Sequence, residues 1–157
     1  MNSLLETYHQ QLLILLDVMI AGALSGLVGI EREKFKKPAG LRTNMIVGSI
    51  SCFFVSISNV LIEFLSGGSG MQNLSVDPIR IIQAIVVGIS FIGAGTILKS
   101  DQKNSVFYLT TAATLLYSSA IGISVALKQY VLAVGLSLLI LIINWVINNM
   151  EKYFLRK

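Results

Sequence analysis

Gly29 to Asn44 read GIEREKFKKPAGLRTN, the one stretch where charge is dense: Arg32, Lys34, Lys36, Lys37 and Arg42 stand together with Glu31 and Glu33. Long apolar runs lie on both sides of it. A charge at the middle of a bilayer costs about 2.5–3.5 kcal/mol, so a stretch this charged cannot sit in lipid. It is expected to be a short polar loop where two membrane helices meet water. Its basic excess assigns that water to the cytoplasm.

Outward from this stretch the composition agrees. Of the 157 residues, 54% are hydrophobic and 13% charged, against about 25% charged in a soluble domain. The mean hydropathy is +0.76, which marks an integral membrane protein whose first partner is the lipid bilayer. The net charge of +4 does not point to nucleic acid, because the basic residues sit at the ends of apolar runs and not on a face interleaved with aromatics. Cys52, the single cysteine, lies in an apolar run and reads as a small buried hydrophobe. His9 is the single histidine, so no zinc or catalytic-histidine constellation can be assembled. No catalytic residue, metal or cofactor is expected. The N-terminus lacks a basic n-region and a small-residue cleavage site, so the first helix is expected to stay uncleaved.

The pattern predicts one all-α domain over 1–157, a bundle of five transmembrane helices at about 12–30, 43–65, 79–98, 106–127 and 129–150. The run from Leu12 to Ile30 carries one charge, Asp17, and is long enough to cross a hydrocarbon core of roughly 30 Å. Gly22 and Gly26 make a GxxxG step that lets another helix approach closely, either within one protomer or as the seam of a homodimer. Ser66 to Val76 reads as a flexible loop. Asp77-Pro78 reads as a helix start: the carboxylate can cap free amides, and proline suits the first helical position. Gly93 and Gly95 offer a second place for close approach, and Lys99 to Ser105 a second short polar loop.

The fourth span is rich in small and hydroxyl residues. Thr114, Ser118 and Gly122 recur every four residues on one face. Such a helix gains little from lipid and is expected at the centre of the bundle. The fifth is dense in Leu, Ile and Val and is expected to face lipid, with Trp145 and Tyr153 in an interfacial belt. With five spans, the loop at 32–42, the loop at 99–103 and the C-terminal tail share one side and hold 10 of the 12 basic residues. That asymmetry gives N-terminus out, C-terminus in.

Few polar groups are left for function. An unpaired carboxylate in lipid is costly, so Asp17 is expected to pair with Arg80 or Gln83 across the first and third helices, as an ion or proton site or as a structural pair. At the inner end Glu31, Arg32, Arg42, Thr43 and Asn44 gather around the turn at Gly40, where a Glu31–Arg42 or Glu33–Arg42 pair could staple antiparallel helices. Arg42, Asn44, Thr96, Thr110 and Thr111 lie at similar depths. They either line a polar recess open to the cytoplasm or, for the threonines, bond back to their own helices.

Four blocks, GLVGIERE, PAGLRTN, DPIRIIQAIVVGISFIGAGTIL and LTTAATLLYSSAIGI, resemble in order and spacing the MgtC/SapB family of bacterial membrane proteins, over about Gly22 to Tyr130. The sequence departs from the family where it usually reads Val-Arg-Gly-Leu-Thr-Thr-Ala-Ala: here Phe107 and Tyr108 replace the Arg-Gly pair. Leu116 stands in place of a family tryptophan. Many members carry a soluble C-terminal domain beyond the transmembrane part that is resembled here. The resemblance implies a multi-pass inner-membrane protein linked to survival at low magnesium and in acidic, nutrient-poor settings. It implies a regulator more than a magnesium carrier, associated with restraining the F-type ATP synthase through its membrane sector. By position it singles out Glu31, Arg32, Gly40, Leu41, Arg42, Thr43, Asp77, Arg80, Gln83, Gly93, Gly95, Thr110 and Thr111. The alternative is a small ion transporter or channel. Five spans without a clear inverted repeat speak against it, although a homodimer could supply symmetry. An enzyme is not expected.

Overall fold

A computed structural model describes residues 2–66, 77–98 and 108–154. Most of the loop expected at 66–76, the polar loop at 99–105 and the last three residues lie outside the described residues. Five helices follow in order: α1 Asn2–Lys34, α2 Leu41–Ser66, α3 Pro78–Leu98, α4 Leu109–Ala126 and α5 Tyr130–Phe154. Each is long and apolar enough to cross a bilayer, so the expected five-helix, all-α architecture is present among the described residues.

The helix ends explain where the boundaries differ from the sequence pattern. α1 begins ten residues before the apolar run because Asn2 to Gln11 contain no glycine or proline, and nothing there stops a helix. It ends in a paired-bond cap: the Lys36 amide donates to the Glu33 carbonyl and the Lys37 amide to the Arg32 carbonyl, both at 3.0 Å. Lys36 takes the left-handed conformation, φ 53°, that this cap requires and glycine usually supplies. α4 ends the same way. Lys128, φ 60°, donates its amide to the Val125 carbonyl at 2.8 Å, and Gln129 to the Ser124 carbonyl at 2.9 Å.

α1 and α2 form an antiparallel hairpin, and α4 packs against all four other helices. Over the apolar windows 56% of α4 is buried, against 17% of α3 and 11% of α5. The small, hydroxyl-rich helix is therefore the centre, and the aliphatic α5 is lipid-facing, as expected. Without a hydrophobic force between helices in lipid, close packing of small residues has to hold them. A Cβ on Gly122 would overlap the Gly48 carbonyl, so α2 and α4 meet backbone to backbone. Gly22 and Gly26 pack on Ser49 and Met45 of α2: the GxxxG step is used within the protomer. Gly93 meets Ala112, with a Cβ there 3.1 Å from the alanine methyl, but a Cβ on Gly95 would have nothing within 4 Å. Gly95 is on the outer side of α3 and is not a packing residue among the described residues. The apolar core comprises residues such as Val28, Val47, Cys52, Leu115, Ile121 and Val125.

Candidate functional site

Asp17 sits on the inner face of α1, one turn before Ala21, and is 2% exposed. Its two carboxylate oxygens have separate partners. Lys128 at the α4–α5 turn donates its ammonium to Oδ2, and the Tyr130 hydroxyl donates to Oδ1 at 2.7 Å. These charge-assisted bonds offset the desolvation of a buried carboxylate. The hydrogen bond to Asp17 raises the Lys128 pKa above its ordinary 10.5 against the opposing effect of desolvation. Gln10, Ser56, Asn59 and Glu63 join Asp17 and Lys128 around a cleft of about 200 Å³ between α1 and α2.

The expected pairing of Asp17 with Arg80 or Gln83 is not formed. α2 and α4 each pack on both α1 and α3, which do not touch each other. Arg80 is exposed beside Asp77 at 3.9 Å, and Gln83 is exposed as well. Asp77 itself does what its place before Pro78 predicts, accepting the Ile79 amide at 3.0 Å.

A second polar cluster holds the other end of the bundle. Arg32 is 1% exposed. Its Nη2 donates to the Thr111 hydroxyl of α4 and to the Pro38 carbonyl at 3.4 Å, while Nε has no partner. Asn44, fully buried, donates to the Ala39 and Gly40 carbonyls at 2.6 and 2.9 Å and accepts from the Ser118 hydroxyl at 2.7 Å. Ser25 of α1 donates to the Ser118 carbonyl at 3.3 Å, and Ser51 of α2 to the Ser119 hydroxyl at 3.0 Å. Together these bonds run through the seam between α1, α2 and α4. Gly29 lies against Leu41, a Cβ there falling 2.6 Å from its Cα, which brings the 35–40 turn down onto α1.

The carboxylate staple at this corner differs from the one expected. Glu33 accepts the Leu41 amide at 3.1 Å, since the free amides at a helix start are a better acceptor's target than a side chain that can reach water. Glu31 accepts from Asn144 of α5 at 2.7 Å. Arg42 and Thr43 are exposed. Nor do Arg42, Asn44, Thr96, Thr110 and Thr111 share a recess. Asn44 and Thr111 are buried in protein hydrogen bonds, Thr96 bonds back to the Gly93 carbonyl at 2.7 Å, and Arg42 and Thr110 face outward. Of the residues singled out in the sequence, Arg32, Gly40, Asn44, Thr111 and Ser118 are brought together.

Sequence reasoning missed Lys128, Tyr130, Asn144, Ser25 and Ser51. The available signal for Lys128 was its place, one of two basic residues on the side where Asp17 lies; choosing it over Arg80 requires knowing which helices touch. Tyr108, which stands where the resembled family usually has glycine, precedes α4 in the left-handed conformation, φ 69°.

Residues 18–153 match the MgtC family. The chain is 31% identical over 144 residues to the protein named "Putative magnesium transporter YhiD" of Escherichia coli (strain K12), covering 91% of this chain and 64% of YhiD. It is 35% identical over 130 residues to Protein MgtC of Salmonella typhimurium (strain LT2), covering 83% of this chain and 50% of MgtC. A Haemophilus influenzae protein without a described role is 34% identical over 113 residues, 72% of this chain and 46% of that one. The chain thus spans between about half and two thirds of the length of these curated relatives. No solved structure matches.

Proposed function

The chain belongs to the MgtC family, and from that premise we propose that it is a regulator in adaptation to low magnesium and acid stress that works by binding another membrane protein. It is a multi-pass membrane protein; in this reading it sits in the bacterial inner membrane with its N-terminus out and its C-terminus in, and performs no catalysis. The membrane sector of the F-type ATP synthase is the partner that the family resemblance favours. One observation carries the reading: the main buried polar side chains within the spans are spent on one another. Asp17 is held by Lys128 and Tyr130, Arg32 by Thr111, Asn44 by Ser118, and Ser51 by Ser119. What α3 and α5 offer outward is mostly apolar, with Phe91 81% and Val131 90% exposed. Such faces can exchange lipid for a partner's side chains at little net cost, because lipid is as apolar as they are. Capture of the tagged chain in mild detergent from cells grown at low magnesium tests this: ATP synthase membrane subunits should co-purify, and their absence from material that retains the folded chain refutes the partner.

A second reading, ion transport, is favoured by the cleft of about 200 Å³ above Asp17 and by the magnesium-transporter name of one relative. Magnesium flux into proteoliposomes, lost on Asp17→Asn, would favour transport over regulation. Absence of flux with folded protein removes it.

A further inference from the structure

A wide apolar inlet lies between α2 and α3. Its volume is about 660 Å³, within the roughly 300–1,000 Å³ of small-ligand sites, and its walls include Ile50, Phe54, Ile81 and Ile89. Gly88 forms part of it, and a Cβ there would have nothing within 4 Å. Arg80 stands at one end, in the first turn of α3, with its side chain 84% exposed and Asp77 no closer than 3.9 Å. An exposed ion pair of that length contributes little, so the guanidinium is available to a stronger anion.

The length of the inlet identifies the occupant. Its α3 wall runs from Arg80 to Ile92, roughly 18 Å at the helical rise. A hydrocarbon core is about 30 Å thick, so the inlet covers about one leaflet and not two. A docking transmembrane helix needs the full depth and a face of small residues; here the walls are isoleucine and phenylalanine. A lipid has the observed layout: a headgroup at the interface and an acyl chain along one leaflet. We propose that this inlet binds an anionic phospholipid of the surrounding bilayer, its phosphate on Arg80 and an acyl chain along the α2–α3 wall past Gly88.

The test uses the full chain, delipidated in mild detergent and titrated with phosphatidylglycerol or phosphatidylcholine of the same acyl chains, with native mass spectrometry counting bound lipid. One phosphatidylglycerol per chain is expected, bound about fivefold more tightly than phosphatidylcholine, the effect of one interfacial basic residue. Arg80→Gln removes that preference. Gly88→Leu fills the inlet where the structure is open and weakens both lipids, with helix content unchanged in each variant. Phosphatidylglycerol binding that neither variant alters overturns the proposal. So does equal competition by inorganic phosphate, which would mark an anion site without a lipid. A dimer in light scattering that Gly88→Leu disperses would give the inlet to a second copy and overturn it too.

Discussion

Replacing Gly122 with alanine adds one methyl group where the backbones of α2 and α4 meet. The new Cβ would overlap the Gly48 carbonyl oxygen and lie 3.0 Å from the Gly48 carbonyl carbon and 3.1 Å from the Cys52 amide nitrogen. All three are backbone atoms in the middle of α2, so no rotamer change relieves the contact, and α2 and α4 have to part. Overpacking of this kind costs about 1–3 kcal/mol. The same seam carries the Ser51–Ser119 and Asn44–Ser118 bonds, and interhelical hydrogen bonds in membranes are worth about 0.6 kcal/mol each. Gly122→Ala is therefore expected to cost about 2–4 kcal/mol. Gly135→Ala is the matched control: a Cβ there meets nothing within 4 Å, so helix propensity alone acts and stability is unchanged or rises by up to about 1 kcal/mol. A difference near 3 kcal/mol is about a hundredfold in the unfolding equilibrium, readable by titrating dodecyl sulfate into mixed micelles and following helix content. Gly122→Ala within about 0.5 kcal/mol of the parent, or Gly135→Ala as damaging, would refute the backbone-contact argument.

Three further outcomes follow from the polar clusters and the turns. Thr111→Val removes the acceptor of a buried guanidinium that already has an unpartnered Nε and is expected to cost about 1–3 kcal/mol, whereas Thr110→Val, on the exposed side of α4, stays within about 0.5 kcal/mol; equal effects in a denaturation series would contradict the placement of Thr111. The Lys128 pKa is raised above 10.5 chiefly by its hydrogen bond to Asp17, so the stabilisation from this pair is complete below pH 10.5 and lost as pH climbs through the folded value above it. A stability profile from neutral to strongly alkaline pH should fall there in the parent and not in Lys128→Met. The double cycle with Asp17→Asn should give a coupling of only about 1 kcal/mol, because the lysine is half in water. Ala39 holds φ 55°, a conformation costing an L-residue about 1–2 kcal/mol, so Ala39→Gly is expected to raise stability by up to about 1 kcal/mol; a loss would show that the methyl's packing against the core outweighs that strain.

Hydropathy and the charge at 31–42 made the five spans and the central place of α4 legible, because lipid punishes charge and rewards length in ways a single sequence records. The helix ends were less legible. Lys36 and Lys128 close α1 and α4 in the left-handed conformation where glycine would have announced a stop, and capping bonds leave no apolar period to read. Partner choice was the least legible. Asp17 required a partner on physical grounds, and depth along the spans pointed to Arg80 or Gln83. Only the adjacency of α1 with α4 and α5, against the separation of α1 from α3, selects Lys128. Likewise Glu33 was placed at the right corner with the wrong partner, since the Leu41 amide becomes available only once the 35–40 turn folds back on Gly29.

The division of labour among the helices bears on how a protein of this size could act. α1, α2 and α4 share hydroxyl, amide and guanidinium bonds across a seam narrowed by Gly48 and Gly122. Opening that seam would strip several buried groups of partners at once, with no water in the bilayer to replace them. It is the part least able to move, and a transport path through it would require breaking these bonds in every cycle. α3 and α5 are attached differently: α5 by Glu31–Asn144, by Tyr130 on Asp17 and by apolar contact, α3 mainly by packing along α4. Contacts of that kind can be exchanged for those of another helix or a lipid with little net change, because lipid is as apolar as the side chains it replaces. A rigid three-helix core with two exchangeable flanks fits a protein that acts by docking more readily than one that acts by opening.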